Sequence, residues 1–559
     1  MHKLYTDAGG RLGGIPWNVY PRPQCKRDSF VCLNGEWEFA VTETDTPPAE
    51  YDRRIRVPFP PESLLSGIDE VFPETATRWY RRTFPLPTEW AGKRILLHFG
   101  AVDQHATVFV NGAEAGTHSG GYDAFTLDIT ETVKADNTLT VAVTDRLSDY
   151  VLPYGKQCAK RGGMWYTPVS GIWQTVWLEA VPETYIRGLK IHVTDHSADI
   201  VAEGVTDGTV TVDGQTWPLC GGRVTVTPDD PHRWSPEDPY LYRFTVQSGE
   251  DTVESYFALR TLDIREVDGL PRLCLNGKPY FFHGLLDQGY WSDGLFTPAT
   301  PEQYAEDISA MKALGFNMLR KHIKVEPEQF YYDCDRLGMI VFQDMVNNGD
   351  YSFFRDTALP TVGLLKRDDR KLHRDPATRQ AFEEAMERTV LQLYNHPCIC
   401  YWTIFNEGWG QFDSTAMYKK LIALDNSRFI DSTSGWFFGG ETQVDSRHIY
   451  FRKVKLKASD KPLVLSEFGG YSWKPEGHVF NTEQTYGYSK LTTREELVAA
   501  IRRLYTEEIL PSLSQGLCAA VYTQVSDVED ETNGLLSYDR RVAKILPEEF
   551  ADISAKLKL

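Results

Sequence analysis

No run of 18 apolar residues occurs in this 559-residue chain, so no membrane-spanning helix is expected. The opening stretch MHKLYTDAGGRLGG has no apolar segment of the kind a secretory signal needs. A cytoplasmic protein is the expectation. Cysteines are few, nine in all, with neither paired nor metal-like spacing. Reduced thiols in a reducing compartment account for them most simply. Positive charge is in deficit: 59 Lys and Arg face 78 Asp and Glu, a net charge of −19. No basic stripe is present, so nucleic acid is not an expected partner.

Aromatic residues are abundant at 13%, including 14 Trp and 28 Tyr. They supply a large core or surfaces that stack on flat ligands such as sugar rings. The length is too great for one core, and several domains are expected.

The texture changes twice along the chain. Residues 1–182 carry short alternating runs such as 30-FVCLNGEWEFAV, 106-ATVFVNG and 138-TLTVAVTD. Turn pairs such as Asn34-Gly35 and Asn111-Gly112 separate them, which predicts a β jelly-roll sandwich. Residues 183–265 repeat the pattern over the length of an immunoglobulin-like β-sandwich. From 266 to 559, apolar strand-like runs alternate with helical patterns. Eight strands are predicted, starting at 280-YFFHGLL, 316-FNMLRKHI, 338-GMIVFQD, 398-CICYWTIFN, 429-FIDST, 447-RHIYF, 462-PLVLSE and 517-LCAAVYTQV. Helices are predicted at 301-PEQYAEDISAMKALG and 375-DPATRQAFEEAMERTVLQLY, the second capped by Asp375 with Pro376 behind it. Eight such units predict a (β/α)8 TIM barrel, whose functional groups sit at the C-terminal strand ends.

The predicted strand ends are polar. The fourth ends in Asn406-Glu407 and the seventh in Glu467. The second ends in Arg320, Lys321 and His322, the third in Asp344, and the first leads to Asp287. The sixth carries His448 and Tyr450, while Trp409, Trp436 and Trp473 follow strands. Two carboxylates across a barrel mouth suit glycoside hydrolysis, one as acid and one as ionised partner. Asn406 is then placed for a sugar 2-hydroxyl, and Arg320 and Tyr450 to keep Glu467 ionised. Plainer readings stand beside each residue. An Asn-Glu pair alone is usually surface, and Arg320 suits a structural ion pair. His322 and His448 suit satisfied core positions, and Asp287 and Asp344 suit turn caps. The tryptophans suit core packing as well as sugar stacking, and 366-KRDDRKLHRD suits a solvated loop.

These residues resemble glycoside hydrolase family 2, which holds β-galactosidases, β-glucuronidases and β-mannosidases. The stretches 171-GIWQTVWLE, 234-WSPEDPYLY, 258-ALRTLDIR, 276-NGKPYFFHG and above all 395-NHPCICYWTIFNE carry the resemblance over nearly the whole chain. It implies a jelly roll, an immunoglobulin-like sandwich and a catalytic barrel, in that order. It also implies Glu407 as acid/base, Glu467 as nucleophile and Tyr450 as the nucleophile's hydrogen-bond partner. Two departures stand out. The family's Arg-Thr-Ser-His-Tyr-Pro segment is 320-RKHIKVEP here. The Asn-x-Lys that grips the sugar carboxylate in its β-glucuronidases is replaced by Glu531, Thr532 and Asn533. No cation is offered there, and Glu531 is expected to repel a uronate. Lys321, Lys324 and the 366–374 loop are the remaining basic candidates.

The expected protein is an exo-acting retaining β-glycosidase on carbohydrate substrates, with no cofactor, no metal site and a homo-oligomer left open. A β-galactosidase-type substrate, pyranose or furanose, comes first and a β-hexuronide such as a galacturonide or glucuronide second. A catalytically inactive carbohydrate-binding protein and a metal-dependent barrel hydrolase are the readings from other classes.

Overall fold

The computed structural model describes residues 2–359, 368–437 and 440–559. The amino-terminal domain is a sandwich of antiparallel sheets. One sheet runs in the order Arg53–Val57, Gly35–Thr42, Thr77–Pro85, Asp136–Thr144, His105–Val110 and Ala113–Ser119. The facing sheet has four strands, Val31–Cys32, Val176–Val181, Arg94–Phe99 and Phe125–Asp128. Alternation drives the packing: Leu139, Val141 and Val143 of one strand all point into the core. They meet Trp37, Tyr80, Leu97 and Leu178 there. The hairpin at Asn111-Gly112 needs left-handed backbone at both residues, with φ of 53° and 83°, which this pair tolerates.

The second domain is a seven-stranded antiparallel β unit from Gly188–Val193 to Asp251–Phe257. Ile200, Val210, Phe244, Val246 and Phe257 fill its core. A hairpin, Leu262–Val267 and Leu270–Leu275, then leads to the barrel. Its Arg272 donates to the Leu513 and Leu517 carbonyls at the start of the last barrel strand. The hairpin therefore lies at the end of the barrel away from the site.

All eight predicted barrel strands are present. They are Phe282–Asp287, Met318–Lys321, Ile340–Asp344, Ile399–Asn406, Phe429–Ser434, Asp445–Ile449, Leu463–Gly469 and Leu517–Thr523. Every ladder among them is parallel, and the spatial order is 5-4-3-2-1-8-7-6. At the seam between strands five and six, Ser434 Oγ and His448 Nε2 lie 2.8 Å apart in a hydrogen bond. The predicted helices form at Glu302–Ala313 and Pro376–Leu393, and Asp375 accepts from the Thr378 amide as the cap of the second.

The domains interlock. Thr6 donates to Asp293, and the Trp17 indole donates to the Pro298 carbonyl. Leu4 and Trp17 thus join the barrel core. The jelly-roll loop around residues 154–167 reaches over the barrel mouth. Its Tyr154 amide donates to Asn347, and Arg161 pairs with Glu529 and Asp530 after strand eight.

Candidate active site

Strand four is buried along its whole length and ends abruptly. Glu407 takes a left-handed φ of 51°, uncommon for a residue with a Cβ. Gly408 follows at 78°, and a Cβ on it would fall 2.2 Å from the Phe437 ring. The backbone is turned so that Asn406 and Glu407 both face one pocket. Strand seven supplies Glu467 from across the mouth, and one oxygen of each glutamate lies within 4.8 Å of the other.

Arg320 organises the floor. Its Nε donates to Asp344 Oδ1 at 3.0 Å, and one terminal nitrogen to Glu467 Oε1 at 3.0 Å and the Ser466 carbonyl. The other donates to Asn406 Oδ1 at 2.9 Å. Among the described residues the Asn406 amide nitrogen has no partner, and it is buried on the wall of the pocket. Tyr450 donates to Glu467 Oε2 at 2.6 Å. Burial alone would raise the Glu467 carboxyl. The charges of His448 and Arg320 and the Tyr450 hydrogen bond outweigh it and hold the group below its usual value. Tyr450 itself is pushed well up by burial and by the Glu467 charge.

His448 lies between the carboxylates, its Nδ1 2.8 Å from Glu407 and 3.5 Å from Glu467. These three form the grouping with metal-ligand spacing among the described residues. Arg320, 3.0 Å from Glu467 and 3.4 Å from His448 Nε2, already places a fixed positive charge there. A divalent cation would be repelled by it. His322 bonds Asp344 at 2.8 Å, and burial pushes its pKa down to about 4.

The cavity volume is about 40 Å³, well below the roughly 300–1,000 Å³ typical of ligand sites. Of the predicted site residues, Asn406, Glu407, His322, Tyr450 and Glu467 line it. Arg320 and Asp344 stand behind the wall as described. Asp287 pairs with Lys321 at 2.6 Å. Trp436 packs edge-on to His448 at 6.2 Å, and Trp473 packs partly buried on the barrel core. None of these five lines the pocket. Lys321 and Lys324 are both tied to Glu326. Lys366 and Arg367 lie outside the described residues, and Arg370 and Lys371 pair with Asp368.

Beyond Trp409, Glu531 and Asn533, which the sequence singles out, the remaining wall is not predicted. Tyr450 stacks on Tyr488 at 4.2 Å. Tyr486, Tyr488, Gln288, Thr523 and Met164 line the pocket with Trp409, Glu531 and Asn533. So does Lys156, from the jelly-roll loop. The segment 154-YGKQCAKRGGMWY is dense in cations and aromatics, but nothing in it points to a barrel rim 250 residues away in sequence. Glu531 is buried, accepts from Gln524, and is pushed up by burial to about 7.

Parallel barrel, buried carboxylates at the strand ends and a small polar pocket are the build of a glycoside hydrolase. The chain belongs to glycosyl hydrolases family 2, whose models match it in order: the sugar binding domain over residues 65–182, the central family 2 domain over 185–260, and the TIM barrel domain over 266–479. The chain is 27% identical to a β-galactosidase of Thermoanaerobacter pseudethanolicus over 80% of its own length and 60% of that protein's. It is 25% identical to a β-glucuronidase of Felis catus, over 73% of this chain and 69% of that one. A β-glucuronidase of an uncultured Clostridium superposes with a TM-score of 0.73 at 18% identity, over 96% of this chain and 99% of that one. The last likeness is one of fold. No helix among the described residues is long and apolar enough to cross a membrane.

Proposed function

We propose that this glycoside hydrolase is an exo-acting, retaining β-glycosidase with Glu407 as acid/base and Glu467 as nucleophile. Glu407 protonates the glycosidic oxygen while Glu467 attacks the anomeric carbon. Glu407 then takes a proton from the water that hydrolyses the glycosyl-enzyme. The approach of one oxygen of each carboxylate to within 4.8 Å of the other, which leaves little room for a water between them, carries this reading. Retaining enzymes hold theirs about 5–5.5 Å apart, whereas inverting enzymes leave roughly 6.5–9.5 Å for a water.

The unpartnered Asn406 amide supports a hydrogen bond to the sugar 2-hydroxyl. The small pocket supports recognition of one terminal residue. That residue is a β-galactoside-type sugar, pyranose or furanose, or its C6-oxidised relative, a β-hexuronide. Nine free cysteines, six of them buried, support a reducing, cytoplasmic setting. Hydrolysis of a panel of nitrophenyl glycosides, followed by NMR of the first-formed anomer, tests the mechanism. Release of the β-anomer is expected. Glu467→Gln should lower kcat by about 10⁴-fold or more. First release of the α-anomer, or a Glu467→Gln variant of ordinary activity, would remove the proposal.

A further inference from the structure

We propose that Lys156 is the specificity-determining residue of this pocket, pairing with a carboxylate on the terminal sugar, so that the sugar is a hexuronic acid. The inference rests on the glycosidase reading and chooses among its sugars. The observation behind it is a buried cation aimed at the substrate space. Lys156 is 6% exposed and lines the pocket with both catalytic-site glutamates. Among the described residues, none accepts a hydrogen bond from its Nζ, and no carboxylate oxygen lies within 4.0 Å of it. The Trp409 ring centre is 4.5 Å away and that of Trp165 5.8 Å. These rings cover one side of the ammonium without offering it a hydrogen-bond acceptor. Burial lowers its pKa, and Glu531, Glu467 and Glu407 offset this only from a distance, so a carboxylate in direct contact would stabilise the ammonium.

The other cations near the mouth are occupied. Arg320 holds Asp344, Glu467 and Asn406. Lys321 and Lys324 hold Glu326. Lys544 holds Asp527 and the Trp473 and Thr532 carbonyls. Lys156 therefore supplies, from a different domain, the cation that the segment Glu531–Asn533 lacks.

Glu531 shares this wall and was expected to repel an acidic sugar. Its burial changes that. With its pKa pushed up to about 7, the group is a neutral carboxyl in mild acid and donates to a second carboxylate. Asn533 completes the wall. Its Oδ1 is taken by Gln524, so its amide NH2 is the group left for a ligand. A C6 carboxylate gives Lys156 its counter-charge and accepts from both neighbours. A neutral hydroxymethyl group leaves the ammonium with only the more distant Glu531, Glu467 and Glu407, none of them within 4.0 Å.

The test uses the full chain, with wild type, Lys156→Met and Lys156→Arg compared on nitrophenyl β-galacturonide, β-glucuronide, β-galactoside and α-L-arabinopyranoside, the last lacking C6. One hexuronide should be the best wild-type substrate. Lys156→Met should lower its kcat/KM by about 100-fold or more, and by at least about tenfold more than it lowers that of the arabinoside, with Lys156→Arg recovering part of the loss. A best substrate without a carboxylate, or an equal loss on all four glycosides, overturns the proposal. Calorimetry on Glu467→Gln separates this failure from failure of the catalytic reading, because it needs no turnover. The free hexuronic acids should bind more tightly than galactose or glucose, and adding Lys156→Met should erase the difference. Absence of that difference overturns the assignment even if glycosides are cleaved. Its presence without cleavage removes the glycosidase reading on which the assignment depends.

Discussion

Arg320 shows how one side chain sets the state of two others. Its guanidinium is planar and forked, so a single position serves Asp344, Glu467 and Asn406 at once. Asn406 is thereby oriented with its oxygen inward and its NH2 towards the pocket. Tyr450 adds the second hydrogen bond to Glu467. A donor to the charged form stabilises that form, so Tyr450 lowers the pH at which Glu467 ionises. Removing it in Tyr450→Phe must raise that pH. The acid limb of kcat/KM, where an ionised Glu467 is gained as pH rises, should move upward. A hydrogen bond to a charge is worth about 1.5–3 kcal/mol, so the shift should be about one to two pH units. A pH-rate profile measures it, and an unmoved limb would show that Tyr450 takes no part in the ionisation.

At the scale of elements, strands position the chemistry and a loop encloses it. Strand four is rigid because both its faces are buried, and such strands read as near-continuous apolar runs. That is why its end was legible. The 154–167 loop has no such period. It is held by contacts: Tyr154 to Asn347 and Gly349, Arg161 to Glu529 and Asp530, and the Thr167 amide to Glu529. Arg161→Ala leaves the buried Glu529 carboxylate without its guanidinium, at a cost of about 1.5–3 kcal/mol. Thermal unfolding should show a lower Tm. Because the same loop carries Lys156, KM should rise on the preferred glycoside more than kcat falls. A lowered Tm with KM unchanged would mean that the loop does not place the pocket wall.

The whole molecule behaves as one catalytic unit of several cores. The amino-terminal segment is part of the barrel core through Leu4 and Trp17, and Trp17 meets Tyr304 edge-on at 5.9 Å. Cutting the barrel free would expose these contacts and remove Lys156 from the site. A chain comprising residues 266–559 should therefore cleave none of the glycosides the full chain cleaves. Trp17→Ala, with all domains retained, should lower stability by about 3–5 kcal/mol, read by denaturant unfolding, and leave the residual folded enzyme with an unchanged KM. An active isolated barrel would place the whole site within one domain.

The sequence by itself determined the three-part architecture, the eight barrel strands and the convergence of Asn406, Glu407, Tyr450 and Glu467. Each of these follows from local period or from position at the end of an apolar strand, and both are written in consecutive residues. Only the tertiary structure decided which polar groups face the pocket. Asp287 turned to Lys321 and Asp344 to Arg320 and His322, because a buried charge takes whichever counter-charge the fold brings nearest. Lys156 is the opposite case. The fold brought it aromatic rings and, among the described residues, no hydrogen-bond acceptor, and that environment is assembled from two domains that no stretch of sequence contains together.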